Sequence, residues 1–398
     1  MAKADTTKLP SANKLKRRFF NLTSGFDMPF FILLMIVLVV GLATLYSASH
    51  VYAFNYHDGD SYFYIRKQLL WVAIGIVGML IVSMIDYHVL HKFAWIIWGI
   101  SLVLLIAALI LPSSTGVHRW IRIPGLGQFQ PSELAKFALV LLFAHLISLN
   151  HKKMKTFAKG FLPLFALLGV TCALVIIEPH LSGTLLIGLL GFTMMYIGGV
   201  RIGWLLGVIG IGVVGVVFMV AVLGYEQDRI LVWLHPRESY ANEITFADGM
   251  SGKDHAWQTI QSLYAIGSGG LLGLGPGDSR QKHLFLPEPQ NDFIFSVFCE
   301  EMGFVGAVLV LVLFALLVWR GFVIGMRSPD KFGCMLAIGL TLQIGLQVAI
   351  NIAVVSNLMP NTGISLPFFS YGGTSILMLM LQMGVVLSIS RQARMEKA

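Results

Sequence analysis

The chain returns repeatedly to uncharged apolar runs of about twenty residues, the first being PFFILLMIVLVVGLATLYSAS, and that recurrence restricts its fold more than any motif does. A helix rising about 1.5 Å per residue needs roughly twenty residues to cross a hydrocarbon core ~30 Å thick. Backbone in lipid must satisfy its own hydrogen bonds, so each run reads as a helix. The runs are continuously apolar rather than alternating, which excludes a β-barrel of the outer-membrane type. A mean hydropathy of +0.78, with only 12% of residues charged, likewise excludes an ordinary soluble domain. The pattern predicts an all-α polytopic membrane protein with ten spans. They fall at roughly 28–48, 66–86, 93–112, 131–150, 160–178, 181–199, 203–224, 293–320, 332–355 and 371–390. The 41 glycines suit such a bundle, because small residues let helices approach closely in lipid.

The formal charge of +8 would fit a nucleic-acid partner if it were gathered into one patch. It follows the alternation of the loops instead. With the N-terminus inside, cytoplasmic segments hold eighteen of the 28 Lys and Arg residues, so the positive-inside rule places both termini in the cytoplasm. The segment KLKRRFF then precedes a retained first helix rather than a cleaved signal. The expected organisation is a cytoplasmic tail at 1–27, one transmembrane domain at 28–390 and a second tail at 391–398. A large extracellular loop at 225–291 joins spans seven and eight. Cys172 and Cys334 lie within spans and Cys299 at the start of another, with no CxxC, so neither a disulfide framework nor a metal cluster is indicated.

Polar residues at the outer ends of the spans are the candidates for chemistry. In QFQPSELAKFALVLL, Pro131 opens a helix that Ser132 or Gln130 would help to cap. Glu133 and Lys136, three apart, share a face just inside the membrane. They read equally well as a structural ion pair or as a cavity wall in which Lys136 meets a phosphate. Glu178 and His180 fall in the short turn EPHLSGT, where Pro179 breaks the helix. The glycine-rich GSGGLLGLGPGDSRQKH lacks the preceding strand and the GK[ST] ending of a nucleotide loop. Its Arg280 and Lys282 are stronger phosphate candidates, or a surface charge pair. Asp292, alone between LPEPQN and FIFSVF, reads on local grounds either as a helix N-cap or as a catalytic acid or base. Glu300 and Glu301 follow about two turns deeper.

Three long segments together resemble the SEDS family of bacterial cell-wall polymerases, which includes FtsW, RodA and SpoVE. They are HRWIRIPGLGQFQPSELAK, QSLYAIGSGGLLGLGPGDSRQKHLFLPEPQNDFIFSVFCEEMGF and NLMPNTGISLPFFSYGGTS. The resemblance runs from about residue 25 to 392, and QSLYAIG with SRQKHLFLPEPQ is closer to FtsW and SpoVE than to RodA. It implies a glycosyltransferase that polymerises lipid II, an undecaprenyl-pyrophosphate-linked disaccharide peptide, on the outer face of the bacterial cytoplasmic membrane. The role is in division, elongation or sporulation. It implies a class B penicillin-binding protein transpeptidase as partner, besides the lipid bilayer, and no nucleic acid. The family's essential acid falls on Asp292. Arg119, Glu133, Lys136, Arg280, Lys282 and Glu288 stand as substrate-binding residues, while His180 occupies a position where many relatives carry an acid.

The implied reaction joins a sugar 4-hydroxyl to an anomeric carbon bearing a lipid pyrophosphate. The leaving group is already anionic, so one base and nearby positive charge suffice. No cofactor is required, although a divalent cation, Mg2+ or Mn2+, is an admissible auxiliary. The alternative is a lipid II flippase, which needs a polar route through the bilayer; a scaffold that only recruits a transpeptidase leaves the outer motifs without use.

Overall fold

The computed structural model describes residues 25–111, 119–123, 127–178, 181–223, 227–241 and 252–395. Ten apolar helices make up its body: α1 (Met28–Tyr56), α2 (Phe63–Met84), α3 (His88–Ile110), α4 (Pro131–Asn150), α5 (Leu162–Ile177), α6 (Leu181–Ile197), α7 (Ile202–Leu223), α11 (Ile294–Met326), α12 (Lys331–Val355) and α13 (Gly373–Met395). Between α7 and α11 lie α8 (Gln227–Leu234), α9 (Pro236–Ala241) and α10 (Gly252–Ser268).

Eight of the expected ten spans are helices long and apolar enough to cross a membrane among the described residues. The other two, α6 with 17 residues and the Ile202–Gly212 part of α7, are apolar but shorter. Seventeen residues reach only about 26 Å, less than an average hydrocarbon core. The protein is a multi-pass membrane protein. The helix of α13 runs on to Met395, into the segment 391–398. Within the long segment between α7 and α11, α8, α9 and α10 are folded.

Helix starts follow ordinary capping chemistry. The Asp27 carboxylate accepts from the Phe30 N–H at 3.1 Å, and Asp330 accepts from the Phe332 and Gly333 N–H groups, each at 3.1 Å. Asp27 also holds Arg320 at the far end of α11 through two bonds of 3.0 and 2.9 Å. Its own N–H donates to Ser390 Oγ near the end of α13. The starts of α1 and the ends of α11 and α13 are thus clasped at one face of the bundle.

α4, α12 and α13 form the centre: each buries 67% of its apolar window, against 28% for α2 and 22% for α3 at the periphery. α2 lies along α13 closely enough that a Cβ on Gly384 would stand 2.6 Å from the Met79 carbonyl. That is close small-residue packing of the kind lipid favours.

At the face opposite the termini, β1 (Ile121–Ile123) and β2 (Gly127–Phe129) form an antiparallel hairpin, with Ile121 opposite Phe129. Thr374 Oγ1 donates to the Gln128 carbonyl at 3.0 Å and docks the hairpin on the start of α13. The α8–α10 segment closes over the same face. Trp233 Nε1 donates to the Asn357 carbonyl, and Asn357 Nδ2 returns a bond to that of Trp233. Ser262 bonds both Ser296 Oγ and the Val355 carbonyl at 2.7 Å.

Candidate active site

The chain leaving α10 does not wander back to α11; it is threaded into a break in that helix. Gly303 has φ 65° and ψ −168° and interrupts α11 nine residues, about two and a half turns, after its start. Into the break run residues 269–275, and four backbone bonds form. Leu274 and Gly275 donate to the Glu300 and Glu301 carbonyls, while Phe304 and Val305 donate to those of Gly270 and Leu271. Gly273, at φ +82°, lies where an added Cβ would stand 2.0 Å from the Glu301 carbonyl. The glycine-rich run is therefore a packing device for two backbones in contact. The N–H groups of residues 274 and 275, which a phosphate cradle would need, are engaged by α11.

Exposing the carbonyls of α11 brings its two buried glutamates under the loop. Glu300 accepts from Ser279 Oγ, from Ser268 Oγ at 3.2 Å, and from the N–H groups of Arg280 and Gln281 at 3.1 and 3.2 Å. Glu301 accepts the single Ser47 hydroxyl proton from α1, its two oxygens 2.6 and 2.8 Å from Oγ, and an ion-pair bond from Lys282 Nζ at 2.9 Å. Lys282, only 1% exposed, also donates to the Gly277 carbonyl. The expectation of Lys282 as a phosphate contact fails on placement, because its ammonium points into the protein and is neutralised there. Arg280, two residues earlier, stays on the exposed surface of the loop.

Asp292 ends this loop. It is not a helix cap: the N-cap of α11 is Phe293, which makes no side-chain capping bond. Instead the backbone around it is pinned from the α12–α13 side. Tyr371 N–H donates to the Gln290 carbonyl at 2.9 Å. Ser370 Oγ donates to that of Asn291 and Asn351 Nδ2 to that of Asp292, each at 2.8 Å. The carboxylate lies beside Gly363, where an added Cβ would stand 3.3 Å from Asp292 Oδ2. Among the described residues nothing donates to that carboxylate.

Asp292 keeps some contact with solvent, yet protein crowds it on most sides. Loss of hydration pushes its pKa up to about 6, the charge of Glu288 adds to the rise, and Arg119 opposes it. Glu288 is exposed, holds a left-handed backbone at φ 45°, and accepts from Asn291 Nδ2 at 2.9 Å. Arg119 has a buried Nε without a partner among the described residues. Glu288 and Arg119, from two separate loops, thus both stand within electrostatic reach of Asp292.

Glu133 and Lys136 are both buried on α4 and pair at 2.7 Å, with Glu133 Oε2 unpartnered among the described residues. Gln130 occupies the N-cap without a side-chain capping bond, and Ser132 Oγ has no partner among the described residues, so neither side chain caps the helix as expected. Glu178, just beyond α5, is fully buried with neither oxygen partnered among the described residues, and burial pushes its pKa up to about 8. His180 lies outside the described residues. Among the described residues no group of three or more His, Cys, Asp or Glu is placed to hold a metal. Sequence reading passed over Asn351, Ser370 and Gly363. Asn351 left one signal, a lone amide inside the apolar run VAINIAVV.

The family model for cell cycle proteins of the FtsW, RodA and SpoVE type matches residues 27–395. Stage V sporulation protein E of Bacillus subtilis (strain 168) is 37% identical over 374 residues, covering 92% of this chain and 98% of that one. A probable peptidoglycan glycosyltransferase FtsW of Geobacter sp. (strain M18) is 35% identical over 379 residues, covering 93% and 98%. Among solved structures, the rod shape determining protein RodA of Thermus thermophilus superposes with a TM-score of 0.64 at 25% identity, covering 92% of this chain and 97% of that one. A chain from a peptidoglycan synthase complex superposes at 0.73 with 24% identity, covering 92% and 98%, a likeness of fold.

Proposed function

The chain belongs to the FtsW/RodA/SpoVE family, and from that premise we propose that it is a peptidoglycan glycosyltransferase in which Asp292 is the general base. Curated relatives bear the name of that activity. The observation that carries the residue assignment is the Asp292 carboxylate itself. The backbone around it is pinned by Asn351 and Ser370, it lies against Gly363 with no hydrogen-bond donor among the described residues, and it feels the charges of Arg119 and Glu288.

The substrate is lipid II. The 4-hydroxyl of the acceptor sugar attacks the anomeric carbon of the donor, its proton passes to Asp292, and the C–O bond to the lipid pyrophosphate breaks. The departing pyrophosphate takes the electron pair as an anion, so positive charge rather than an acid is needed. Arg119 and Arg280 are cations of the two loops, and Lys136 is a deeper one: among the described residues its ammonium bonds only Glu133 and keeps protons to give, whereas that of Lys282 donates to three protein oxygens. A divalent cation, where one is taken up, would be held chiefly by pyrophosphate oxygens, with the exposed Glu288 as its protein carboxylate; it would add positive charge at the leaving group and leave Asp292 free to take the proton.

This reading sets ten spans in the bacterial cytoplasmic membrane, with both termini inside and the 225–291 segment outside. It also takes a class B penicillin-binding protein as partner; one structural relative comes from a peptidoglycan synthase complex.

The purified protein, with and without its co-purified transpeptidase, is to be given lipid II and its products resolved by strand length. Glycan strands are expected, and their rate of formation should rise with pH through about 6 as Asp292 ionises. Translocation of labelled lipid II across liposomes without any polymer would overturn the assignment in favour of a flippase.

A further inference from the structure

Asn351 sits fully buried in the last two turns of α12, and no step of the reaction uses it. Its side-chain amide has two hydrogens, and each meets a backbone carbonyl: that of Asp292 at 2.8 Å and that of Ile364 at 2.6 Å. The first acceptor belongs to the proposed base itself. The second belongs to the residue after Gly363, whose backbone lies against the Asp292 carboxylate.

One amide therefore spans the two walls between which the carboxylate rests. Ser370 repeats the linkage one residue earlier, receiving the Leu366 N–H and donating to the Asn291 carbonyl, both at 2.8 Å. Gln347, one turn before Asn351 on the same face of α12, donates only to Ser365, at 3.0 Å to its carbonyl. It touches one wall and not the other.

We propose that Asn351 is a positioning residue that fixes the distance between the Asp292 carboxylate and the Gly363 wall, and so sets both the reach and the hydration of the base. The proposal rests on Asp292 acting as that base. The amide suits the task because a carboxylate would repel two carbonyls and a hydroxyl would supply only one donor. The charged groups facing Asp292 are Glu288 on its own loop and Arg119 before β1. The 363–371 loop carries no charged residue, and the only one on α12 is Lys331 at its other end. Any change in the base on altering Asn351 must then come through position and hydration rather than through a lost charge.

The test compares Asn351→Ala with Gln347→Ala in the full chain bound to its transpeptidase, reading lipid II polymerisation from pH 4.5 to 8.5 together with thermal melting. Loosening the wall admits water to Asp292, so the acid limb of kcat should move to lower pH by about half a unit or more. Mispositioning should lower kcat about 10- to 100-fold with KM nearly unchanged. Gln347→Ala should leave the acid limb where it is.

If Asn351→Ala does not purify as an intact complex, Asn351→Ser, which keeps one donor, is read in the same way, with a smaller shift expected. An unmoved acid limb, with kcat falling only in step with the melting temperature as in Gln347→Ala, would overturn the proposal. Failure of the underlying reading is separate and visible elsewhere, as normal polymerisation by Asp292→Asn.

Discussion

Replacing Asp292 by Asn should remove lipid II polymerisation, by about 10²–10⁴-fold if only base assistance is lost, while the complex melts at the same or a higher temperature. The second half of that expectation follows from the direction of the pKa shift. The carboxyl titrates near 6 in the folded protein, against an ordinary 3.8. Between those values the folded state holds a proton that the unfolded chain has released, so stability falls as pH rises through that window. At neutral pH the ionised carboxylate is a burden on the fold, and a neutral amide of the same shape relieves it. A capping role would predict the opposite pairing, a loss of about 0.5–2 kcal/mol with turnover retained. Loss of activity with stability unchanged or raised therefore separates base from cap, and the paired measurement is strand synthesis against thermal melting of the same preparation.

Much of the fold was legible because lipid imposes a simple rule: a run of about twenty apolar residues must be a helix. The rule fails where a helix is short, as at α6 with its 17 residues. The position of Asp292 at the edge of a span was legible for the same reason. Its freedom from capping was not, because whether a carboxylate turns towards the helix N-terminus depends on the loop that holds it. Here Asn351 on α12 and the 363–371 segment, about sixty to eighty residues further on, take that role.

Lys282 was misread for a related reason. Arg280 and Lys282 share a loop and a charge, and alternation along an irregular segment does not say which of the two faces inward. The answer lies in α11, where the break at Gly303 lets residues 269–275 enter and draws Glu300 and Glu301 beneath the loop. GSGGLLGLG shows glycines, but not whether they serve a ligand or a neighbouring backbone. Only the carbonyl of Glu301, 2.0 Å from where a Gly273 Cβ would stand, decides that.

Lys282→Met should destabilise the protein by about 3–5 kcal/mol, the usual consequence of leaving one partner of a buried ion pair uncompensated. Glu301, 3% exposed, would keep only the Ser47 hydroxyl as a donor. Adding Glu301→Met to the same protein should recover most of that loss, since two apolar side chains of similar volume carry no buried charge. The signature is a strongly non-additive double-mutant cycle, read as melting temperatures of the two single variants and the double. A lysine that binds the substrate pyrophosphate predicts something else: Lys282→Met would raise KM or lower turnover with the melting temperature nearly unchanged, and Glu301→Met would rescue nothing. The burial of Lys282 and its bonds to Glu301 and Gly277 favour the first outcome. Stability would then govern activity at this position, because the loop that Lys282 ties down is the one that ends in Asp292.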